Sequence, residues 1–347
     1  VTPIAGAEQA LGHAATIQRI LDAPADVGGA SLRATASMGI CLGGAQFSDA
    51  DAIMRAADAA TYRAKAIGRG RAVLYDTAMA QHDDLRRRIG IELRSAVDNG
   101  ELRLEYQPIV SLPDRACIGF EALARWVHPE LGRVSPAIFI PVAEEVGLMR
   151  PIGAWVLRTA CEHLARWQRL ERVPDVKLNV NVSTHQMADP SFLTFLRECV
   201  EQTGIDPRRL GLELTETAML DRHGLANETL AQIRALGIPV VLDDFGTGYS
   251  SLSYLQLLPM DALKIDQSFV RSPHEGLASP AIVHALISLS KSLGISVVAE
   301  GVETEQQAAH LERIGCRAAQ GFLFSRSLCA DAALDFLLGR TRKADAV

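Results

Sequence analysis

Residues 224–245, "GLANETLAQIRALGIPVVLDDF", contain the unit from which the fold can be read. Leucine and isoleucine recur at helical spacing up to Gly237, a residue suited to end a helix. An apolar, β-branched run follows and stops on two adjacent acids, Asp243 and Asp244. The same helix–glycine–strand rhythm returns in "PAIVHALISLSKSLG" before "ISVVAEG", and in "EQQAAHLERIG" before "AAQGFLF", with Gly294 and Gly315 as stops. Further short apolar runs are "LRLEYQPIV", "CIGFEALARW", "VKLNVNVS", "LGLELTE" and "ALKID", and "PIGAWVLRTACEHLARWQRL" supplies another amphipathic helix. Strand–helix units repeated over about 250 residues predict an α/β barrel. The alternative, a doubly wound open sheet, lacks its G-x-G-x-x-G phosphate turn.

Outside that region the rhythm changes. Residues 1–75 read as helix, strand, helix, strand: "EQALGHAATIQRILD", the alternating "LRATASMGICLG", the Ser-Asp-capped "SDADAIMRAADAATYRAKAIG" and "RAVLYD". This is a small, incomplete-looking α/β unit. Residues 76–98 form one charge-laced helix, a connector, and residues 99–340 form the barrel. With 48% hydrophobic and 22% charged residues in 347, the chain has the composition of a globular protein with a large core. A net charge of -6 argues against a general nucleic-acid binder. Six scattered cysteines form no C-x-x-C pair, so they read as buried thiols of a cytoplasmic protein. No apolar run reaches the ~18–20 residues of a membrane helix. The chain begins at Val1, so missing upstream sensory domains are expected, with any membrane anchor lying in them.

The strand ends carry the chemistry. They read Glu121, Asn181, Glu213, Asp243 with Asp244, Lys264, Glu300 and Gln320, all polar. Taken singly, each has an ordinary explanation, such as a helix cap or a surface ion pair. On a barrel they converge on one face, where active sites assemble. Five carboxylates against one lysine leave four negative charges, and like charges this close oppose one another's ionisation. Two divalent cations would cancel that excess. Oxygen-only donors suit Mg²⁺ or Mn²⁺; Ca²⁺ is looser in geometry and is expected to be non-productive. Paired cations of this kind cleave phosphodiesters. Adjacent strand residues point opposite ways, so Asp243 and Asp244 can share a site only where the chain turns.

The blocks "YQPIV", "GFEALARW", "NVNVS", "ELTE", "DDFGTGYSSL", "LKID", "AEGVE" and "AQGFLFS", in this order over residues 85–335, resemble the EAL domain, a phosphodiesterase of cyclic di-GMP. The resemblance implies a TIM-like (β/α)8 barrel whose first strand runs against the others, and metal-dependent hydrolysis of cyclic di-GMP to linear pGpG. It implies Glu121, Asn181, Glu213 and Asp243 as ligands of a first metal, and Asp243, as bridge, with Asp244 and Glu300 at a second. Lys264 would act on the nucleophilic water or developing charge, and Glu303 would orient this part of the site. Arg125 would contact phosphate, Gln107 and Leu123 would line the groove, and Gln320 would complete the wall. Glu216 would hold the loop containing Gly246 and Gly248, which the family couples to a homodimer interface.

"TASMGICLGGAQFSDADAIMRAADAATYRAKAIGRGRAVLYD" resembles the second half of a GGDEF domain, without the signature itself. The other readings of the chain are a non-catalytic cyclic di-GMP receptor and a regulatory dimerisation module.

Overall fold

The computed structural model describes the chain except residues 1–3, 5, 29, 45–46, 69, 171–172, 174, 216–224, 246–258, 271–279 and 341–347. It divides into two compact units, residues 1–92 and 93–347.

In the first unit β1 (Ala25–Val27) and β2 (Ala30–Leu32) form an antiparallel pair, and β3 (Met38–Ile40) pairs in parallel with β4 (Ala72–Leu74). The stretch expected as one strand, "LRATASMGICLG", is therefore split: residues 33–37 between β2 and β3 are irregular. Helices Ala7–Asp22 and Ala50–Ala66 belong to this unit, as does most of helix Thr77–Ala96. The second begins at an Asp49 cap whose carboxylate accepts the Ala52 N–H at 2.7 Å. It turns Ala56, Ala60 and Ala64 inward, small residues that permit close packing. Helix Thr77–Ala96 leads into the second unit.

That unit is the expected barrel. Its strands are β5 (Leu102–Ser111), β6 (Cys117–His128), β7 (Gly132–Val134), β8 (Lys177–Asn181), β9 (Leu210–Thr215), β10 (Val240–Phe245), β11 (Ala262–Ile265), β12 (Ser296–Ala299) and β13 (Ala318–Gln320). They pair in the order β5-β13-β12-β11-β10-β9-β8-β6-β7, and a β5–β6 pairing closes the ring of eight with β7 appended to β6. β5 is antiparallel to both neighbours, whereas β6 and β8 to β13 run parallel. Buried on both faces, the parallel strands read as apolar runs; β9 is buried from Leu210 to Leu214.

Alternation along β5 and β6 assigns two layers. Gln107 and Glu121, paired in register, belong to one face. Tyr106 and Phe120 belong to the other and pack on Trp167 of helix Met149–Gln168, with ring centroids 5.0 and 5.4 Å away. No described helix is long and apolar enough to cross a membrane.

Candidate active site

The barrel brings the strand-end residues together around Lys264. This lysine is 1% exposed, and its Nζ reaches Glu300 Oε1 at 2.6 Å, Glu213 Oε2 at 2.8 Å, Glu121 Oε2 at 3.0 Å and Asp243 Oδ1 at 3.1 Å. Four strands, or the residue directly after one, thus aim a carboxylate at a single ammonium. Asn181 Nδ2 donates to Glu121 Oε1 at 2.7 Å, and Gln320 Nε2 donates to Glu121 Oε2 and Gln107 Oε1, both at 2.8 Å.

Glu121 is not at the end of its strand, since β6 continues to His128. Its barrel pairing with β8 nevertheless stops at Ala122, so Glu121 stands at the mouth while β6 and β5 project beyond it as a hairpin. Gln320 ends strand β13 as expected, and the chain turns directly after it at Gly321.

The two adjacent acids are accommodated by a bulge. Asp244 has φ 53, the left-handed region that a non-glycine residue seldom adopts, and the β10–β11 register shifts between Leu242 and Phe245. The Asp244 N–H donates back to Asp243 Oδ1 at 3.0 Å. This turn brings Asp244 into a cavity of about 310 Å³ that is also lined by Asp243, Glu300, Glu303 and Gln320. The Glu303 N–H is held by the Gln307 side chain at 2.8 Å, at the capped start of helix Glu305–Arg313. Gly301, at φ 63, admits the close approach of the next segment: a Cβ there would lie 2.3 Å from Gln267 Cβ.

Burial and charge crowding shift the ionisation of these groups. Burial pushes the Glu213 carboxyl well above the ordinary range, and the charges of Glu121 and Asp243 add to it while Lys264 opposes. Burial, with the charges of Asp243 and Glu121, takes Glu300 up to about 7 against the pull of Lys264. Burial and the Asp243 charge raise Asp244. For Glu121 burial acts upward too, but the Lys264 charge and the bonds from Gln320, Lys264 and Asn181 outweigh it and hold the carboxyl low. Burial acts to lower Lys264, and the surrounding carboxylates reverse this and raise it well above its ordinary value.

The donor set fits hard divalent cations. Carboxylate oxygens of Glu121, Glu213 and Asp243 lie within 4.8 Å of one another, as do those of Asp243, Asp244 and Glu300; Asp243 belongs to both groups. Gln320 Oε1 is buried beside them, without a hydrogen-bond partner among the described residues. These are oxygen donors, the preference of Mg²⁺ and Mn²⁺.

Some candidates stand apart. Leu123 and Arg125 follow Glu121 on the same face of β6, on the projecting hairpin outside that cavity. Glu216, Gly246 and Gly248 lie outside the described residues. Sequence reasoning passed over other residues of the site. Asn179, one strand period before Asn181, is buried and donates to Glu213 Oε1 at 2.9 Å. Gly211, its register partner, makes room: a Cβ there would stand 2.3 Å from Asn179 Oδ1. Asp266, two residues past Lys264 in "LKID", lines the cavity; the period-2 spacing was its available signal.

Comparison with known proteins agrees with this architecture. A family model described as the EAL domain matches residues 91–327. MucR of Pseudomonas aeruginosa, a bifunctional diguanylate cyclase/cyclic di-GMP phosphodiesterase, is 38% identical over 300 residues, 86% of this chain and 44% of MucR. PdeR of Escherichia coli, a cyclic di-GMP phosphodiesterase, is 36% identical over 307 residues, 88% of this chain and 46% of PdeR. The chain therefore spans less than half the length of either relative. The solved structure of the PaMucR phosphodiesterase in complex with c-di-GMP superposes with a TM-score of 0.68 at 39% identity, covering 71% of this chain and 99% of that one. With the family model matched over most of its length and the eight-stranded ring in place, this chain belongs to the EAL domain family.

Proposed function

We propose that this chain hydrolyses one phosphodiester bond of cyclic di-GMP to give linear pGpG, using two divalent cations. The observation that carries the reading is the sharing of Asp243 between two carboxylate groups, each compact enough to hold one ion. Glu121, Asn181, Glu213 and Asp243 would hold the first cation, and Asp243, Asp244 and Glu300 the second. When bound, the pair supplies an acidified water and neutralises charge on the phosphoryl group. The protein's own residues do the remaining work. Lys264, fixed by four carboxylates, keeps a positive charge beside the reacting phosphate without reorganising. Gln320 and Asn181 fix the orientation of the Glu121 carboxylate. Glu303 lines the same cavity on a capped helix start that restrains its backbone. Arg125 contacts phosphate, and Leu123 and Gln107 line the substrate groove; Glu216 holds the loop containing Gly246 and Gly248, which couples the site to a homodimer interface.

The names of MucR and PdeR and the c-di-GMP complex support the substrate. The remainder of the proposal is a cytoplasmic homodimer within a longer signalling protein. Residues 1–75 are then the rear of a GGDEF-like domain, 76–98 the connector and 99–340 the catalytic barrel.

The test is incubation with cyclic di-GMP and Mg²⁺ or Mn²⁺, followed by chromatography. The expected result is pGpG that disappears with chelator and in Asp243→Ala. Metal-dependent binding without product would make the chain a receptor instead.

A further inference from the structure

The projecting β5–β6 hairpin carries a second polar cluster outside the metal centre, built on Glu105. Its carboxylate accepts from Ser327 Oγ at 2.6 Å, Arg133 Nη2 at 2.7 Å and Arg125 Nε at 2.9 Å. Three separate segments therefore meet on one side chain. Arg125 also donates through Nη2 to Ser327 Oγ at 3.1 Å and through Nη1 to the Ala124 carbonyl at 3.1 Å.

The register explains why this matters for the mouth. On one face of the ladder the rungs are Gln107 with Glu121, Glu105 with Leu123, and Arg103 with Arg125, moving outward from the barrel. Arg125 stands two rungs beyond Glu121, where a free side chain would extend into solvent. A diagonal contact to Glu105 draws its guanidinium back one rung toward the mouth. Ser327 is fixed there because its neighbour Leu328 exchanges two backbone hydrogen bonds with Tyr106, at 2.7 and 2.9 Å. The Arg125 and Glu105 side chains are only 19% and 18% exposed, so this is not a loose surface pair. A guanidinium carries five N–H donors; among the described residues the bonds above occupy three, leaving two for a ligand.

We propose that Glu105, supported by Ser327, is a positioning residue that aims Arg125 at a substrate phosphate. This rests on the reading of Arg125 as a phosphate contact of a cyclic di-GMP phosphodiesterase. Glu105 also partly neutralises Arg125 and Arg133, so its removal has two opposed consequences. Loss of aim weakens binding of an anionic substrate; release of positive charge strengthens it. Because the pair is mostly buried, orientation dominates.

Steady-state kinetics with cyclic di-GMP and Mn²⁺ tests this. Arg125→Ala should raise KM about tenfold, as loss of uniform binding does. Glu105→Ala should raise KM about as much with kcat within about twofold. Glu105→Gln retains one acceptor oxygen and should restore part of the affinity, and Ser327→Ala should fall between wild type and Glu105→Ala. Arg125→Ala combined with Glu105→Ala should be no worse than Arg125→Ala alone, because both remove the same interaction. Additive losses in the double variant, or a lowered KM in either Glu105 variant, overturn the proposal. A wild-type KM in Arg125→Ala overturns it through the phosphate-contact reading itself. Should no variant turn over, the same cycle read as cyclic di-GMP dissociation constants by calorimetry decides it, and only the enzymatic reading is lost.

Discussion

At the scale of single residues, the site is organised by a compensated charge rather than by any one acid. Lys264 meets four carboxylates within 3.1 Å and is almost completely buried. Breaking a buried ion pair by removing one partner costs about 3–5 kcal/mol, because the remaining charge has no partner. Lys264→Met should therefore lower the unfolding free energy by roughly that amount in chelator at neutral pH, and abolish hydrolysis. Urea denaturation measures the first effect, and a stability equal to wild type would mean the carboxylates do not depend on the ammonium. Most of this constellation was legible in the sequence, because polar residues closing apolar runs are conspicuous. Asn179 was not, since a buried asparagine inside a strand resembles a turn former until its partner Glu213 is known. Glu105 was hidden for a related reason: its partners Arg125, Arg133 and Ser327 come from distant segments, and local spacing says nothing about diagonal contacts across a ladder.

At the scale of elements, periodicity located the strands and the long helices, while strand lengths escaped it. "LRATASMGICLG" alternates throughout, yet β3 is only Met38–Ile40, pairing with the equally short β4. Alternation records which residues fit a pleated surface; the extent of a partner strand decides how far pairing runs. β6 errs the other way, continuing past the barrel because β5 and β7 supply partners as far as His128. Where β5 packs on helix Met149–Gln168, Tyr106 Oη contacts His163 Nδ1. Burial, assisted by Arg166, holds the His163 pKa below its ordinary 6.5. The unfolded chain then binds a proton more readily than the folded one. The resulting stability is complete above the unfolded value and is lost as pH falls through about 6.5 toward the folded value. His163→Gln removes that titration. The melting temperature of the wild type should fall more steeply between about pH 7 and 5.5 than that of His163→Gln. Parallel profiles would mean the imidazole is not coupled to folding.

At the scale of the whole molecule, the closed ring turns residues 143 or more positions apart, such as Glu121 and Lys264, into neighbours. Only a fold supplies that proximity, and the strand–helix rhythm was sufficient to name the fold. Cations held as proposed would act on the entire unit, since the acids converge only at the assembled mouth and are dispersed in an unfolded chain. A ligand at a hundred times its dissociation constant stabilises by about 2.7 kcal/mol per site. Saturating Mn²⁺ should therefore raise the melting temperature by several degrees, roughly 2–4 °C per kcal/mol for a unit of this size. Asp243→Ala, lacking the shared carboxylate, should lose most of that shift. An equal shift in both proteins would place the ions elsewhere.

Anomalous diffraction from a crystal soaked in Mn²⁺ tests the paired-cation centre most directly. The expected map has two peaks flanking the Asp243 carboxylate, one toward Glu121 and Glu213 and the other toward Asp244 and Glu300. A well-diffracting, fully soaked crystal with no peak beside Asp243 would contradict the two-cation site.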